Sequence, residues 1–285
     1  MKGITLKAHA KVNLTLEALA KRPDGYHELR SLMVKLALHD TLSFCLAPEG
    51  QLSLSCDAFG LSCGEDNLVM RAARLLQAAA GRPLGARIAL CKRIPMAAGL
   101  AGGSADAAAT LLGLNRLWRL SLSQRRLKAL ALRLGSDVPF CLDACAAAVA
   151  RGRGERLSRV ASLPPLHVAL VKPAISVATA WVYQNLRLKS LAQGQHTAKS
   201  LAALRLGDIQ ALRQHAINHL ESVTIPEHPV IAGIKRDLDK GGALLSRMSG
   251  SGPTVFALFA TQSEAKNALK CIKSARFFKC STHFL

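Results

Sequence analysis

Aromatic residues make up only 4% of this 285-residue chain, and 18 aspartates and glutamates stand against 38 lysines and arginines. The shortage of acids leaves a formal charge of +20, a balance that favours anionic partners such as nucleic acid, membrane surfaces or phosphorylated small molecules. The shortage of aromatic rings removes the stacking platform on which single-stranded nucleic acid is held. No RNA- or DNA-reading motif occurs, and no block of five or six like charges does; the densest run is Arg125-Arg126 with Lys128. No specific nucleic-acid partner is expected, and the excess reads as a cation-rich, solvated surface. No run of about eighteen apolar residues is present, so no membrane-spanning helix is expected. Lys2, Lys7 and Lys11 interrupt the beginning of the chain, which therefore lacks the apolar core of a signal peptide. None of the eight cysteines forms a C-x-x-C pair, and Cys141 and Cys145 have no second pair or histidine to complete a zinc set. Reduced thiols in a cytoplasmic protein are the expectation.

What is present is a globular composition, half of it apolar. Residues 4–17 alternate: Ile4, Leu6, Ala8, Ala10, Val12, Leu14 and Leu16 on one face, and Thr5, Lys7, His9, Lys11, Asn13, Thr15 and Glu17 on the other. This predicts a long strand, or two joined by a bend. Further strands are expected at 29–46, 51–56 and 87–91, with helices at 67–80, 104–118 and 123–134. The pair Pro164-Pro165 marks a boundary near 160, giving domains 1–160 and 161–285. Beyond it the pattern reads strand at 167–171, helices from 179, at 197–221 and at 229–240, then strand (243–248), turn, strand (254–259), helix (263–274) and strand (276–281). That order is a split β-α-β arrangement.

The stretch Pro95-Met-Ala-Ala-Gly-Leu-Ala-Gly-Gly-Ser-Ala-Asp-Ala-Ala-Ala109 is a glycine-rich loop entering an alanine-rich helix. Such a helix start presents unpaired N–H groups and the positive end of its dipole, a site for phosphate. The competing reading is a flexible loop entering a helix whose alanines serve close packing. No Gly-Lys-Ser/Thr follows, and the Gly-x-Gly-x-x-Gly spacing is missing, so neither a Walker A loop nor a dinucleotide fingerprint is present.

Three motifs resemble those of the GHMP small-molecule kinases: Ala10-Lys11-Val12-Asn13-Leu14, Pro95 to Ala109, and Ser249-Gly-Ser-Gly-Pro-Thr-Val-Phe256. Three more, Lys21-Arg-Pro-Asp-Gly-Tyr-His-Glu28, Gly135-Ser-Asp-Val-Pro-Phe140 and Gly152-Arg-Gly-Glu155, resemble the branch whose substrate is 4-diphosphocytidyl-2-C-methyl-D-erythritol. The resemblance implies an α+β, two-domain GHMP kinase fold, with an N-terminal lobe like ribosomal protein S5 domain 2, a C-terminal ferredoxin-like lobe and a cleft between them. It implies an ATP- and Mg2+-dependent enzyme, cytoplasmic and monomeric or weakly dimeric, that phosphorylates the 2-hydroxyl of that small-molecule substrate in non-mevalonate isoprenoid precursor biosynthesis. Another GHMP acceptor (mevalonate-like, homoserine or a sugar) is the alternative.

The resemblance also implies roles. Pro95, Met96, Ala97, Ala98, Gly99, Leu100, Ala101, Gly102, Gly103 and Ser104 bind ATP; Ser104 donates its hydroxyl or caps the helix, and Asp106 is structural in the first helical turn. Asp137 is the base that activates the acceptor hydroxyl, although its place after Gly135 and before Val138-Pro139 also suits a helix cap. Lys11 lies beside Asp137, where an ammonium stabilises developing negative charge; otherwise it is an exposed strand lysine. Asn13 hydrogen-bonds the acceptor or orients Lys11. Tyr26 and Tyr183 sandwich the cytosine, His27 meets the pyrimidine edge, Lys92 reaches nucleotide or diphosphate, Thr179 contacts substrate, and Gly250 belongs to a second flexible turn. Ala101, Ala105 and Ala144-Cys145-Ala146 depart from the family pattern, and no acidic residue is assigned to magnesium.

Overall fold

The computed structural model describes residues 3–192 and 194–285; Lys2, one of the lysines read above, lies outside them. Its strands are β1 (Ile4–Lys21), β2 (His27–Ala47), β3 (Leu52–Cys56), β4 (Gly85–Cys91), β5 (Ala147–Gly152), β6 (Arg156–Val160), β7 (His167–Lys172), β8 (Leu245–Met248), β9 (Val255–Phe259) and β10 (Phe278–His283). The helices are α1 (Leu68–Ala80), α2 (Gly102–Leu117), α3 (Gln124–Leu134), α4 (Val138–Leu142), α5 (Thr179–Gln184), α6 (His196–Leu206), α7 (Ile209–His215), α8 (Glu221–Glu227), α9 (Val230–Lys240) and α10 (Gln262–Cys271). One sheet runs β3-β4-β2-β5-β6 with β1 paired to β2; the other runs β10-β7-β9-β8.

Sheet membership changes between β6 and β7, across Pro164-Pro165. The chain's two compact units interleave instead: one holds residues up to Ala10, Leu38–Met96 and Ala101–Ala144, the other Lys11–Ala37, Ala97–Leu100 and Cys145–Leu285. The reason is strand length. β1 and β2, at 18 and 21 residues, run out of one unit into the other.

In the first unit, β3 pairs parallel and β2 antiparallel with β4. The Asn67 side chain accepts from the N–H of Val69 to start α1, and Gly81, left-handed at φ 64°, ends it. Ser123 starts α3 in the same way. α2 begins two residues before the expected start, so Ser104 is its third residue and not its cap; Asp106 falls beyond the first turn. Nine residues of α2 are buried, including Ala105, Ala107, Ala108 and Ala109, so the alanines do serve close packing, around Phe44, Leu76, Ile88 and Trp118. The closest approach is at Gly113, where a Cβ would stand 2.4 Å from Cε2 of Phe44.

In the second unit, the β5–β6 hairpin extends the sheet from the first half of β2. The strand order β10-β7-β9-β8, antiparallel throughout, is that of a ferredoxin-like sheet, as the β-α-β-β-α-β order implies. The helix expected at 197–221 is two, α6 and α7, broken at left-handed Gly207. α10 starts on a capping box, Thr261 with Glu264. Ala169, Val171, Val182, Ile234, Leu238, Val255, Ala257 and Phe259 form its core.

Gly113→Ala tests the packing of α2. Helix propensity favours alanine by about 1 kcal/mol, whereas overpacking costs about 1–3 kcal/mol. With Phe44 in the way the clash prevails, and chemical denaturation is expected to show net destabilisation; a stabilised variant would contradict the packing.

Candidate active site

The polar face of β1 is buried from residue 11 onward. Lys11 is 3% exposed and Asn13 2%, and Thr15 and Glu17 are likewise covered. The reading of Lys11 as an exposed strand lysine is thereby excluded. Burial of so many polar side chains demands partners, and the second unit supplies them. The Lys11 ammonium donates to Asn13 Oδ1 at 2.6 Å, Asn13 Nδ2 to Ser31 Oγ at 2.8 Å, and Ser31 Oγ to the Thr15 carbonyl at 2.6 Å. Thr15 Oγ1 lies 2.8 Å from Thr197 Oγ1. Glu17 accepts from the N–H groups of His196 and Thr197.

The middle of the glycine stretch is tied to this strand. The Lys11 N–H donates to the Leu100 carbonyl at 3.1 Å, and Ser249 Oγ donates to the Gly99 carbonyl at 2.9 Å. Gly99 is left-handed (φ 71°), and a Cβ on it would sit 2.2 Å from the Ser249 carbonyl. No other residue fits there. Gly250 is also left-handed, with Asn13 Oδ1 3.3 Å from where its Cβ would stand, so glycine keeps the third motif close to Asn13. Ala97 and Ala101 carry positive φ without being glycine (48° and 56°), a conformation that costs an L-residue about 1–2 kcal/mol. That places backbone strain at Ala101, one of the departures noted above.

The ends of the stretch belong to the first unit. Asp40 accepts from the N–H groups of Arg93 and Ile94 at 2.5 and 2.8 Å, fixing the chain just ahead of Pro95. Lys92 was expected to reach nucleotide or diphosphate. Its ammonium instead sits 2.5 Å from Asp40 and 2.8 Å from Asp106, with the lysine side chain 8% exposed. Burial opposes this charge, but Asp106 and Asp40 outweigh it and raise the Lys92 pKa. The same burial pushes Asp106 up to about 7; Lys92 pulls it down and Asp40 pushes it further up. One ammonium is shared by two carboxylates, and Asp106 Oδ1 has no hydrogen-bond partner. Gly102 leaves room for this group, since a Cβ there would lie 3.3 Å from Lys92 Nζ. At the start of α2, Ala101 provides no side-chain cap, so the first N–H groups of a 16-residue helix are left to suit an anion.

Asp137 occupies the N-cap position of α4, yet its backbone is helical (φ −83°, ψ −18°) and its side chain makes no capping hydrogen bond. The capping reading of this carboxylate fails. It is half-buried at the surface of the first unit.

The remaining candidates lie in the second unit. Arg22 bridges Asp24 and Glu28, and Glu28 also accepts from the Gly152 N–H and from Arg156, which docks the β1–β2 turn on the β5–β6 hairpin. Tyr26, 52% exposed, lies under the Arg153 guanidinium, 4.6 Å from the ring centroid. Tyr183 stacks on His27, with centroids 5.2 Å apart, whereas Tyr26 faces a guanidinium. Burial, then the charge of Lys21, lowers the His27 pKa, which leaves its ring neutral near pH 7, one nitrogen donating and one accepting. Thr179 Oγ1 lies 2.8 Å from Ser251 Oγ. Ser31, Ser249 and Asp40 were not singled out from the sequence. Ser249 stood inside a quoted motif; Ser31 and Asp40 look like ordinary strand residues.

Comparison with known proteins gives a consistent result. The GHMP kinases N terminal domain pattern matches residues 67–149 and the GHMP kinases C terminal pattern residues 200–277. A 4-diphosphocytidyl-2-C-methyl-D-erythritol kinase of Pelotomaculum thermopropionicum is 47% identical over 263 residues, 92% of this chain and 91% of the relative. A crystal structure of 4-(cytidine 5'-diphospho)-2C-methyl-D-erythritol kinase is 35% identical, with a TM-score of 0.84 over 99% of this chain and 100% of that one. Homoserine kinase from Cytophaga hutchinsonii, 21% identical over 100% of this chain and 95% of that one, shares the fold at a TM-score of 0.77.

The Asp106 carboxyl makes stability depend on pH. Its folded pKa of about 7 lies above the ordinary value near 3.9, so the folded form holds a proton that the unfolded chain releases. The stabilising contribution is complete below about pH 4 and is lost as pH rises through 7. Asp106→Asn, neutral at every pH, is expected to shrink the fall in Tm between pH 5 and 8; an unchanged pH slope would refute the assignment.

Proposed function

The chain belongs to the GHMP kinase family, and from that premise we propose that it transfers the γ-phosphoryl group of ATP to the 2-hydroxyl of 4-diphosphocytidyl-2-C-methyl-D-erythritol, in the non-mevalonate route to isoprenoid precursors. What carries this reading is that a kinase named for this substrate is 47% identical across 92% of the chain. The cysteines, none joined in a disulfide among the described residues, fit work in the reducing cytoplasm. No helix among those residues is long and apolar enough to cross a membrane.

Phosphoryl transfer asks for positioning and for charge compensation. The uncapped start of α2 fits the phosphates of ATP, held by the N–H groups of Gly102, Gly103 and Ser104. No cluster of three His, Cys, Asp or Glu among the described residues could hold a metal, and no residue is assigned to magnesium, which would enter with ATP. When bound, that ion supplies neutralisation of phosphate charge. Asp137, not engaged in capping, orients the acceptor hydroxyl and takes its proton late, as a carboxylate must with so weak an acid. Lys11, aimed by Asn13, offsets the negative charge that develops in the transition state. Neutral His27 meets the pyrimidine with one donor and one acceptor, and Tyr26 and Tyr183 offer ring faces to the base. Lys92 holds the entry to the glycine stretch through Asp40 and Asp106, so its contribution is to the loop.

Coupled ADP detection with Mg-ATP and a panel of acceptors (the cytidyl tetritol, mevalonate, homoserine) tests the reading; turnover confined to the last two would sink it. Lys11→Ala and Asp137→Asn are each expected to lower kcat by about 10²–10⁴-fold, Asp137→Asn without changing Tm appreciably. Tyr26→Ala is expected to raise KM for the cytidyl acceptor roughly tenfold, the value of one lost stacking contact, and to leave KM for ATP unaltered.

A further inference from the structure

We infer that Ser31 is a positioning residue for this reaction, the group that holds the far end of the Asn13 amide and so fixes its carbonyl against the Lys11 ammonium. The inference rests on the role given to Lys11 above; its geometry stands on hydrogen bonds within the second unit.

The directions of these bonds are forced by chemistry. A carbonyl oxygen only accepts, so the hydrogen bond between Ser31 Oγ and the Thr15 carbonyl, 2.6 Å long, uses the single hydroxyl proton of Ser31. Toward Asn13, Ser31 is left with lone pairs alone. The Asn13 group facing it at 2.8 Å must therefore be the NH₂ end. The carbonyl end then points the other way, where Lys11 Nζ stands 2.6 Å off. An ammonium only donates, so the row from Lys11 to the Thr15 carbonyl has one consistent polarity. Ser31 is 2% exposed and Thr15 fully buried, which leaves no bulk water to substitute for the hydroxyl.

Without that hydroxyl only the Lys11 ammonium still fixes the amide, and from one end alone. Asn13 Nδ2 loses its acceptor and the Thr15 carbonyl loses a donor, so the far end of the amide is no longer held and Oδ1 loses its fixed position against the ammonium. Lys11 would then face an acceptor that is less firmly placed. The Asn13 main chain is held independently, its N–H 3.4 Å from Ser249 Oγ, so the effect falls on the side-chain amide rather than on the strand.

The test compares Ser31→Ala, Ser31→Thr, Asn13→Ala and the double variant Ser31→Ala/Asn13→Ala in the full chain. Ser31→Ala is expected to lower kcat about tenfold, as small misplacements of catalytic groups do, with KM for ATP and acceptor nearly constant. Ser31→Thr, which keeps the hydroxyl, recovers most of that loss. In the Asn13→Ala background, Ser31→Ala has no further effect, because the residue it acts through is gone. Equal losses in both backgrounds, or an undiminished kcat in Ser31→Ala, overturn the inference. A second readout does not need the acceptor. In ¹⁵N-asparagine-labelled protein, the Asn13 side-chain amide signals are expected to move in Ser31→Ala and to return in Ser31→Thr; signals that stay in place overturn the inference. If the wild-type chain fails to phosphorylate the cytidyl tetritol, the functional reading fails and the amide signals still decide the role of Ser31. Should Ser31→Ala not fold, Ser31→Cys, close in size and a weak acceptor, replaces it in both measurements.

Discussion

A lysine ammonium held at 3% exposure is the constraint to which the second unit is built. Taking a charge out of water is tolerated only with hydrogen-bonding partners, because a buried unpaired charge costs several kcal/mol. Asn13 meets that demand for Lys11, and Asn13 in turn needs Ser31, which needs the Thr15 carbonyl. The polar face of β1 is therefore a specified row, in which each group determines what its neighbour can be. Ser249 joins this row to the glycine stretch by accepting from Asn13 and donating to Gly99. The third motif thus takes part in the same hydrogen-bonded set, and its glycines make the approach possible.

The first unit solves a related problem with two carboxylates and one ammonium. Asp40 has a backbone duty, pinning Arg93 and Ile94, and an ionic one toward Lys92. Asp106 brings the second charge from inside α2, where desolvation raises its pKa. The arrangement anchors both the chain entering the glycine stretch and the helix leaving it. Rigid ends of this kind suit a loop whose N–H groups must stand ready for a charged ligand, since preorganised donors need no reorganisation when charge develops.

Much of this was legible in the residues. The helices expected at 67–80 and 123–134 and the alternation along β1 are local signals carried by neighbours in sequence. The β-α-β-β-α-β order was readable for the same reason. What escaped detection depended on distant partners. Ser104 looks like a helix cap, but the glycines before it are already helical. Lys92 looks like a free arm beside a phosphate loop until Asp40, 52 residues away, is brought alongside. Ser31 resembles any other strand serine, and nothing in its neighbourhood announces that the Thr15 carbonyl takes its proton.

Local chemistry thus sufficed for most of the elements, because strand alternation and glycine turns are written within a few residues of where they act, while the kinase family was legible through the resemblance of its ordered motifs. Whether Lys11 is solvated or buried, whether Asp137 caps or not, and which end of Asn13 faces the ammonium were settled by packing alone. Those outcomes turn on desolvation and on the direction of single hydrogen bonds, and both come from groups that only folding brings within 3 Å or so of one another.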